Sequence, residues 1–296
     1  MKAIVHEKSA MNGEICVVTG ATNGIGRATA IGLAKLGAKV VIVARNQSKA
    51  AEVVAEISKI PGAPKPEIVL ADLTEMRQVC RACDEIRTRF DHVDVLINNA
   101  AAMFDTYHES SEGIEDAYAV NHLAVFLLTL SLHPSLKKAP HPRVVIVSSN
   151  VHEKAIYIRD YMSLVKPKYD WSKIYAQTKL RTMIFTRALS ERWKNDGITV
   201  NSLHPGVVDT GLMGGWDNQL MKSLFKVVQL FFLSPEKGAL TSIFLASDPS
   251  VAMVTGKYFD TCKSHPYNPI ADDVQIQKQL WDESMTFLKK AGIDGV

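Results

Sequence analysis

Between Thr19 and Gly26 the chain places three glycines, Gly20, Gly24 and Gly26, at the junction of an apolar run and a helical one. No other stretch constrains the fold as much. The residues before it, Glu14 to Thr19, are rich in Ile, Val and Thr, and those after it, Ala28 to Leu36, carry apolar side chains at helical spacing. A strand that turns into a helix through glycines presents backbone N–H groups at a helix N-terminus with no Cβ in the way, which is a seat for pyrophosphate. Gly20, Asn23, Gly24, Ile25 and Gly26 are therefore candidate cofactor-binding residues. A ligand-free glycine turn leaves that spacing unexplained.

The same alternation continues down the chain. Apolar runs predict strands over Glu14 to Thr19, Lys39 to Ala44, Pro66 to Leu70, Val93 to Ile97, Arg143 to Val147 and Ile198 to Leu203, with a last one over Gly256 to Asp260. Segments of period 3.6 between them predict helices near Gly24 to Leu36, Gln47 to Ile60, Thr74 to Phe90, Gly113 to His133 and Trp171 to Lys194. Near-continuous apolar strands are buried on both faces, so the expectation is a doubly wound parallel α/β sheet of the Rossmann type with helices on each side. A chain of 296 residues fits one such domain. Residues 12–210 would form the cofactor and catalytic core and 211–296 a substrate cover and C-terminal extension.

Charge and cysteine usage exclude several classes. Lys and Arg number 34 against 31 for Asp and Glu, with no basic run, which argues against a nucleic-acid footprint. Residues 1–12 contain no apolar core of a signal sequence, so an intracellular location is expected. Cys16, Cys80, Cys83 and Cys262 make no disulfide framework; Cys80 and Cys83 form a single C-x-x-C within a helical pattern, with no second pair to complete a zinc site. His122, His152 and His204 are read as structural, and no histidine spacing suggests a metal.

The end of the second strand bears on cofactor choice. An acid there accepts hydrogen bonds from a free ribose 2′-hydroxyl. This chain has Val43-Ala44-Arg45-Asn46 instead, and Arg45 can pair with a 2′-phosphate, which favours NADP over NAD.

Tyr175-Ala-Gln-Thr-Lys179 puts a phenol and an ammonium one helical turn apart on one face. A free phenol has a pKa of about 10, and a close, partly desolvated cation worth about 4 kcal/mol lowers it by roughly three units. Ser149 follows the apolar run Arg143 to Val147, which places it at a strand's C-terminal end, where sheets of this kind bind ligands.

Together these residues resemble the classical short-chain dehydrogenase/reductase family. The matching pieces are Thr19-Gly20-x-x-x-Gly24-x-Gly26, Asp72-Leu73, Asn98-Asn99-Ala100-Ala101, Asn121, Ser148-Ser149, Tyr175-x-x-x-Lys179 and Pro205-Gly206, in the family's order over residues 12–260. Val120 to Thr129, Thr178-Lys179-Leu180 and Ser247 to Cys262 look most like the retinol dehydrogenase-like branch, which implies an apolar carbonyl or alcohol substrate such as a retinoid, steroid, lipid or xenobiotic. The resemblance implies that Tyr175 exchanges a proton with the substrate oxygen, that Lys179 lowers its pKa and binds the nicotinamide ribose, and that Ser149 stabilises the developing alkoxide. It implies that Asn121 holds a helix irregularity and a water. Asp72 and Leu73 would lie along the adenine, Asn99, Ala100 and Ala101 along the adenosine ribose, and Pro205, Gly206 and Thr210 near the nicotinamide.

Two departures from the family pattern stand out. Ala101 occupies a position usually held by glycine. The stretch from Ser149 to Tyr175 is long and aromatic, with Tyr157, Tyr161, Met162, Tyr169 and Trp171, and either borders the substrate pocket or packs as a surface loop. Residues 220–233 are apolar with Lys222 and Lys226 on one face, and at 14 residues are too short to cross a bilayer that needs about 20. They read as a lid, a membrane-surface helix or an oligomer contact. The family often assembles through the helix carrying Tyr175 and its predecessor, an arrangement that the added C-terminal segments stand to block. The expected activity is NADP-dependent interconversion of a carbonyl and an alcohol. A nucleotide-binding regulator without turnover is the alternative; an extended-family epimerase or dehydratase expects a different glycine spacing.

Overall fold

The computed structural model describes residues 10–165, 168–206 and 233–295. Strands β1 (Ile15–Thr19), β2 (Lys39–Ala44), β3 (Glu67–Leu70), β4 (Val95–Asn98), β5 (Arg143–Val147), β6 (Thr199–His204), β7 (Tyr258–Asp260) and β8 (Lys263–His265) form one sheet. Their order is β3-β2-β1-β4-β5-β6-β7-β8, parallel throughout except for the antiparallel β7–β8 pair. The order reverses between β1 and β4, so a crevice opens beyond the C-terminal ends of those two strands.

The helices are α1 (Gly24–Lys35), α2 (Gln47–Ile57), α3 (Met76–Arg89), α4 (Asp116–Tyr118), α5 (Ala124–Ser131), α6 (His133–Leu136), α7 (Tyr161–Val165), α8 (Trp171–Arg192), α9 (Pro235–Ser247) and α10 (Val274–Lys290). Successive strand residues point to opposite faces, and here both faces are apolar. Val40 and Ile42 of β2 join a core with α1, α2 and α9, while Val41 and Val43 join one with α3, α5, α8 and α10. This two-sided burial is what the apolar runs predicted.

The expected helix over Gly113 to His133 is interrupted. A π turn, Ala119–Leu123, separates α4 from α5. Asn121 lies at its centre, fully buried. β8 was not foreseen because it has three residues and its turn uses Thr261 and Cys262 at φ 47° and 61°, with neither Gly nor Asn to signal a hairpin. Cys16 and Cys83 are buried and Cys80 and Cys262 half-buried, all as free thiols.

α10 lies over α5 and α8. Trp281 packs on Phe126 at 4.9 Å between ring centroids, Phe287 on Tyr118 at 5.0 Å, and His122 Nε2 meets Ser284 Oγ at 2.7 Å. α10 thus covers the outer face of this helical layer. Of residues 220–233, all but Leu233 lie outside the described residues, as does Thr210. Among the described residues no helix is long and apolar enough to cross a membrane.

Candidate active site

The glycine turn is braced from β4. Thr19 Oγ1 accepts from the N–H groups of Asn99 and Ala100, each at 3.0 Å, and Asn99 Nδ2 donates to the Thr19 carbonyl at 2.8 Å. Gly20 takes φ +65°, where a Cβ would also come 2.9 Å from Ala100 Cα. At Gly26 a Cβ would lie 2.3 Å from Asn99 Nδ2 and 2.4 Å from the Gly20 carbonyl oxygen. Asn23 caps α1, its Oδ1 accepting from Gly24 N at 2.8 Å, and Ile25 is buried beneath the turn. The result is a tight loop at the mouth of the crevice with the α1 N-terminus behind it. Only glycine fits at these two positions, because a Cβ would strike Asn99, Ala100 or the loop's own backbone.

The other candidate cofactor residues surround the same end of the sheet. Arg45 follows β2 and is exposed. Asp72 follows β3, and its carboxylate is taken up by the Thr74 N–H and hydroxyl at 3.0 and 2.8 Å; half-buried Leu73 sits beside it. Ala101 follows β4, and its backbone is not among the positive-φ positions, so nothing in its conformation demands glycine. Pro205 and Gly206 leave β6, with Gly206 at φ +82°.

At the end of β5 the chain reaches Ser148 and Ser149. Ser148 Oγ bonds the Lys179 carbonyl and Thr182 Oγ1, each at 3.2 Å, docking α8 against the strand end. α8 starts on an Asp170 cap that accepts from the N–H groups of Ser172 and Lys173. It brings half-buried Tyr175 alongside Ser149, whose hydroxyl also caps the turn that follows, accepting from Val151 N at 3.5 Å. Lys179 lies one turn on, 1% exposed, with Nζ 5.6 Å from the Tyr175 ring centre and donating to the Val147 carbonyl at 2.9 Å. Asn121 holds the neighbouring wall: Oδ1 accepts from Ala102 N and Nδ2 donates to Ala102 O, both at 2.8 Å, with a further bond to Thr178 Oγ1 at 3.3 Å. Asn121, Ser149, Tyr175 and Lys179 therefore converge, next to the glycine loop.

Electrostatically the site differs from the expectation of an ammonium holding the phenol down. Burial lowers Lys179 to about 7, well below the ordinary ammonium range. Burial raises Tyr175 above the ordinary phenol range, and only the Ser149 hydrogen bond opposes it. Desolvation outweighs the cation because the cation is itself desolvated.

A pH test follows from Lys179. Its folded pKa lies below the unfolded value of about 10.4, so between pH 7 and 10 the unfolded chain binds more protons, and unfolding free energy rises by up to about 1.4 kcal/mol per pH unit. The stability of the ligand-free wild type relative to Lys179→Met is expected to increase from pH 7 to pH 9 in denaturant titrations. A pH-independent difference would contradict the assigned burial of this amine.

His152 lies behind Ser149, with Nδ1 at 2.6 Å from the Ser149 carbonyl. Burial lowers its pKa, so the neutral ring donates from Nδ1. His204 is buried at the end of β6. Among the described residues no cluster of three or more His, Cys, Asp or Glu side chains is placed to hold a metal. The aromatic stretch after Ser149 packs inward: Tyr161 is fully buried and its hydroxyl, like that of Tyr169, donates to buried Glu115 at 2.7 and 2.8 Å. Of the two readings open for this stretch, these contacts match the packed one.

The short chain dehydrogenase family model matches residues 14–220. The chain belongs to the short-chain dehydrogenase family. Within it, the chain falls in the retinol dehydrogenase-like branch: it is 37% identical to human retinol dehydrogenase 14 over 289 residues, covering 93% of this chain and 86% of that one. It is 34% identical to human polyprenol dehydrogenase over 278 residues, covering 91% and 83%. Solved structures agree on the fold. A short chain dehydrogenase from Salmonella enterica serovar Typhi has a TM-score of 0.69 at 23% identity, covering 87% of this chain and 99% of that one. A structure from Beutenbergia cavernae with bound NADP has a TM-score of 0.68 at 26% identity, covering 86% and 97%. As a short-chain dehydrogenase the chain is an oxidoreductase that uses a nicotinamide cofactor.

Proposed function

We propose that this short-chain dehydrogenase interconverts a carbonyl and an alcohol on an apolar substrate with NADP(H), Tyr175 serving as general acid and base. The observation that carries the reading is Tyr175 alongside Ser149 at the end of β5, with Lys179 one helical turn on and the glycine turn at the end of β1. The cofactor, held by residues 20–26, Arg45 and the ends of β3, β4 and β6, supplies or accepts a hydride when bound. The protein residues handle the charge that results at oxygen. Ser149 donates a hydrogen bond to the substrate oxygen as negative charge builds there. Tyr175 gives its proton to that oxygen, and its raised pKa keeps the proton in place at neutral pH, which favours the reducing direction. Lys179, one turn along the same helix face, would bind the nicotinamide ribose, and Asn121 keeps the wall between the post-β4 loop and α8 closed.

Retinol and polyprenol, in the names of two relatives, are apolar alcohols, which supports the substrate class. NADP is supported by Arg45, exposed at the end of β2 where a 2′-phosphate would lie, and by the NADP-bound relative. Replacing Arg45 with Ala is expected to raise KM for NADPH by about 10- to 100-fold, the worth of a charge-assisted contact, with KM for NADH nearly unchanged. Steady-state titration of both cofactors against one aldehyde checks this. A wild-type preference for NADH would overturn the assignment.

A further inference from the structure

α8 carries a second pair at the same spacing as Tyr175 and Lys179. Gln177 and Arg181 each stand two residues further along, about 200° around the helix and so facing away from the substrate side. Both are buried, Arg181 completely. What they hold is the chain that leaves Ser149. After the short turn Asn150–Lys154 this chain has no regular structure until α7 begins at Tyr161, and its backbone groups are satisfied by side chains instead. Gln177 Nε2 donates to the Ile156 carbonyl at 2.5 Å, and its Oε1 accepts from Ile158 N at 3.1 Å and from Arg181 Nη1 at 2.9 Å. Arg181 Nη2 donates to the Ile158 carbonyl at 2.8 Å. From the other side Asn268 Nδ2 reaches the carbonyls of His152, Glu153 and Ala155 at 3.1, 3.3 and 2.8 Å.

The guanidinium sits between the Tyr157 and Tyr161 rings, 5.0 Å from each centre, with Tyr118 at 5.8 Å and Glu283 Oε2 at 3.5 Å. A buried cation of this kind is costly unless its donors are used, and two of them are used on this one strap and its partner Gln177. One helix therefore serves both ends of the catalytic arrangement: Tyr175 lies by Ser149 on one face, and Gln177 with Arg181 fix from the opposite face the segment that Ser149 begins.

We propose that Gln177 and Arg181 are positioning residues that clamp residues 150–158 to α8 and so hold the Ser149 hydroxyl against Tyr175. The inference rests on the reading of Ser149 and Tyr175 as the proton-handling pair. Losing the clamp loosens Ser149 without touching the glycine loop, which is braced separately by Thr19 and Asn99. The effect belongs in kcat and not in cofactor affinity.

The test compares Gln177→Ala, Arg181→Met and Arg181→Lys with Ile57→Ala, a buried change in α2 on the other face of the sheet. Amide hydrogen exchange of each full-length protein is measured together with NADPH affinity and kcat on one aldehyde. Gln177→Ala and Arg181→Met are expected to speed exchange of the Ile158 amide and its neighbours in 150–158 by about tenfold, as for a lost buried hydrogen bond, and to lower kcat by a similar factor with NADPH affinity within twofold. Arg181→Lys, which keeps the charge and can reach one carbonyl, falls between. Unchanged exchange in 150–158, or a kcat loss that Ile57→Ala reproduces, would overturn the clamp. Should Arg181→Met not fold, Gln177→Ala carries the decision alone. If the wild type reduces no carbonyl, the functional reading fails, while the exchange rates still decide whether the clamp exists.

Discussion

Tyr175→Phe is expected to lower kcat for carbonyl reduction by about 10²- to 10⁴-fold, the range contributed by a positioned general acid. The substitution removes one oxygen and keeps the ring. The ring is what α8 packs and what Lys179 Nζ approaches at 5.6 Å, so the fold and the cofactor site are expected to persist. Ser149 loses its phenol partner but remains anchored through the capped turn that follows it. NADPH affinity within a few-fold of wild type, measured by fluorescence titration, separates a lost proton donor from a damaged site. Ser149→Ala leaves the acid in place and removes only the stabilising donor, so its loss is expected to be smaller. Equal turnover by Tyr175→Phe and wild type would remove Tyr175 from the mechanism.

The second large effect lies at the glycine loop. Gly26→Ala puts a methyl 2.4 Å from the Gly20 carbonyl oxygen and 2.3 Å from Asn99 Nδ2. Real carbons do not approach so closely, so something must move, and neither neighbour is free. Gly20 is held at φ +65° against Ala100, and the Asn99 amide is the bond that ties the loop to β4. The expected result is a loss of NADPH affinity of about 100-fold or more, equivalent to about 2.7 kcal/mol, with a lowered Tm that NADPH no longer raises. Thermal shift with and without NADPH reads both. Unchanged affinity would mean that the cofactor does not lie on this loop.

The readability of these features in the sequence follows from how local their causes are. The glycine turn and the two-sided apolar strands are fixed by neighbours in the chain; the sheet order β3-β2-β1-β4-β5-β6 is not, since the same alternation of strands and helices also builds the order 2-1-3-4-5. Ser149, Tyr175 and Lys179 were legible as candidates because strand-end placement and i, i+4 spacing are also local. Their electrostatics were not, since the lowered pKa of Lys179 comes from burial by elements distant in sequence. The π turn at Asn121, the helix irregularity that the family resemblance implied, is bridged to Ala102 and Thr178, and helical periodicity alone does not report it. Nothing local in the sequence marks Arg181 as buried. Its burial exists only because residues 156–161 and α10 close over it. The covering of α5 and α8 by α10 was suspected from the added length alone, and the Phe126–Trp281 and His122–Ser284 contacts give it substance.

The central claim, hydride transfer between NADPH and an apolar carbonyl, is tested most directly by isotope transfer. Wild-type protein is incubated with NADPH deuterated at the reactive C4 position and a panel of long-chain and isoprenoid aldehydes and ketones, with Tyr175→Phe alongside. The account predicts alcohol carrying one deuterium on its carbinol carbon from wild type and almost none from the variant. Bound NADPH with no labelled alcohol from any member of the panel would contradict it, and would favour a nucleotide-binding protein that does not turn over.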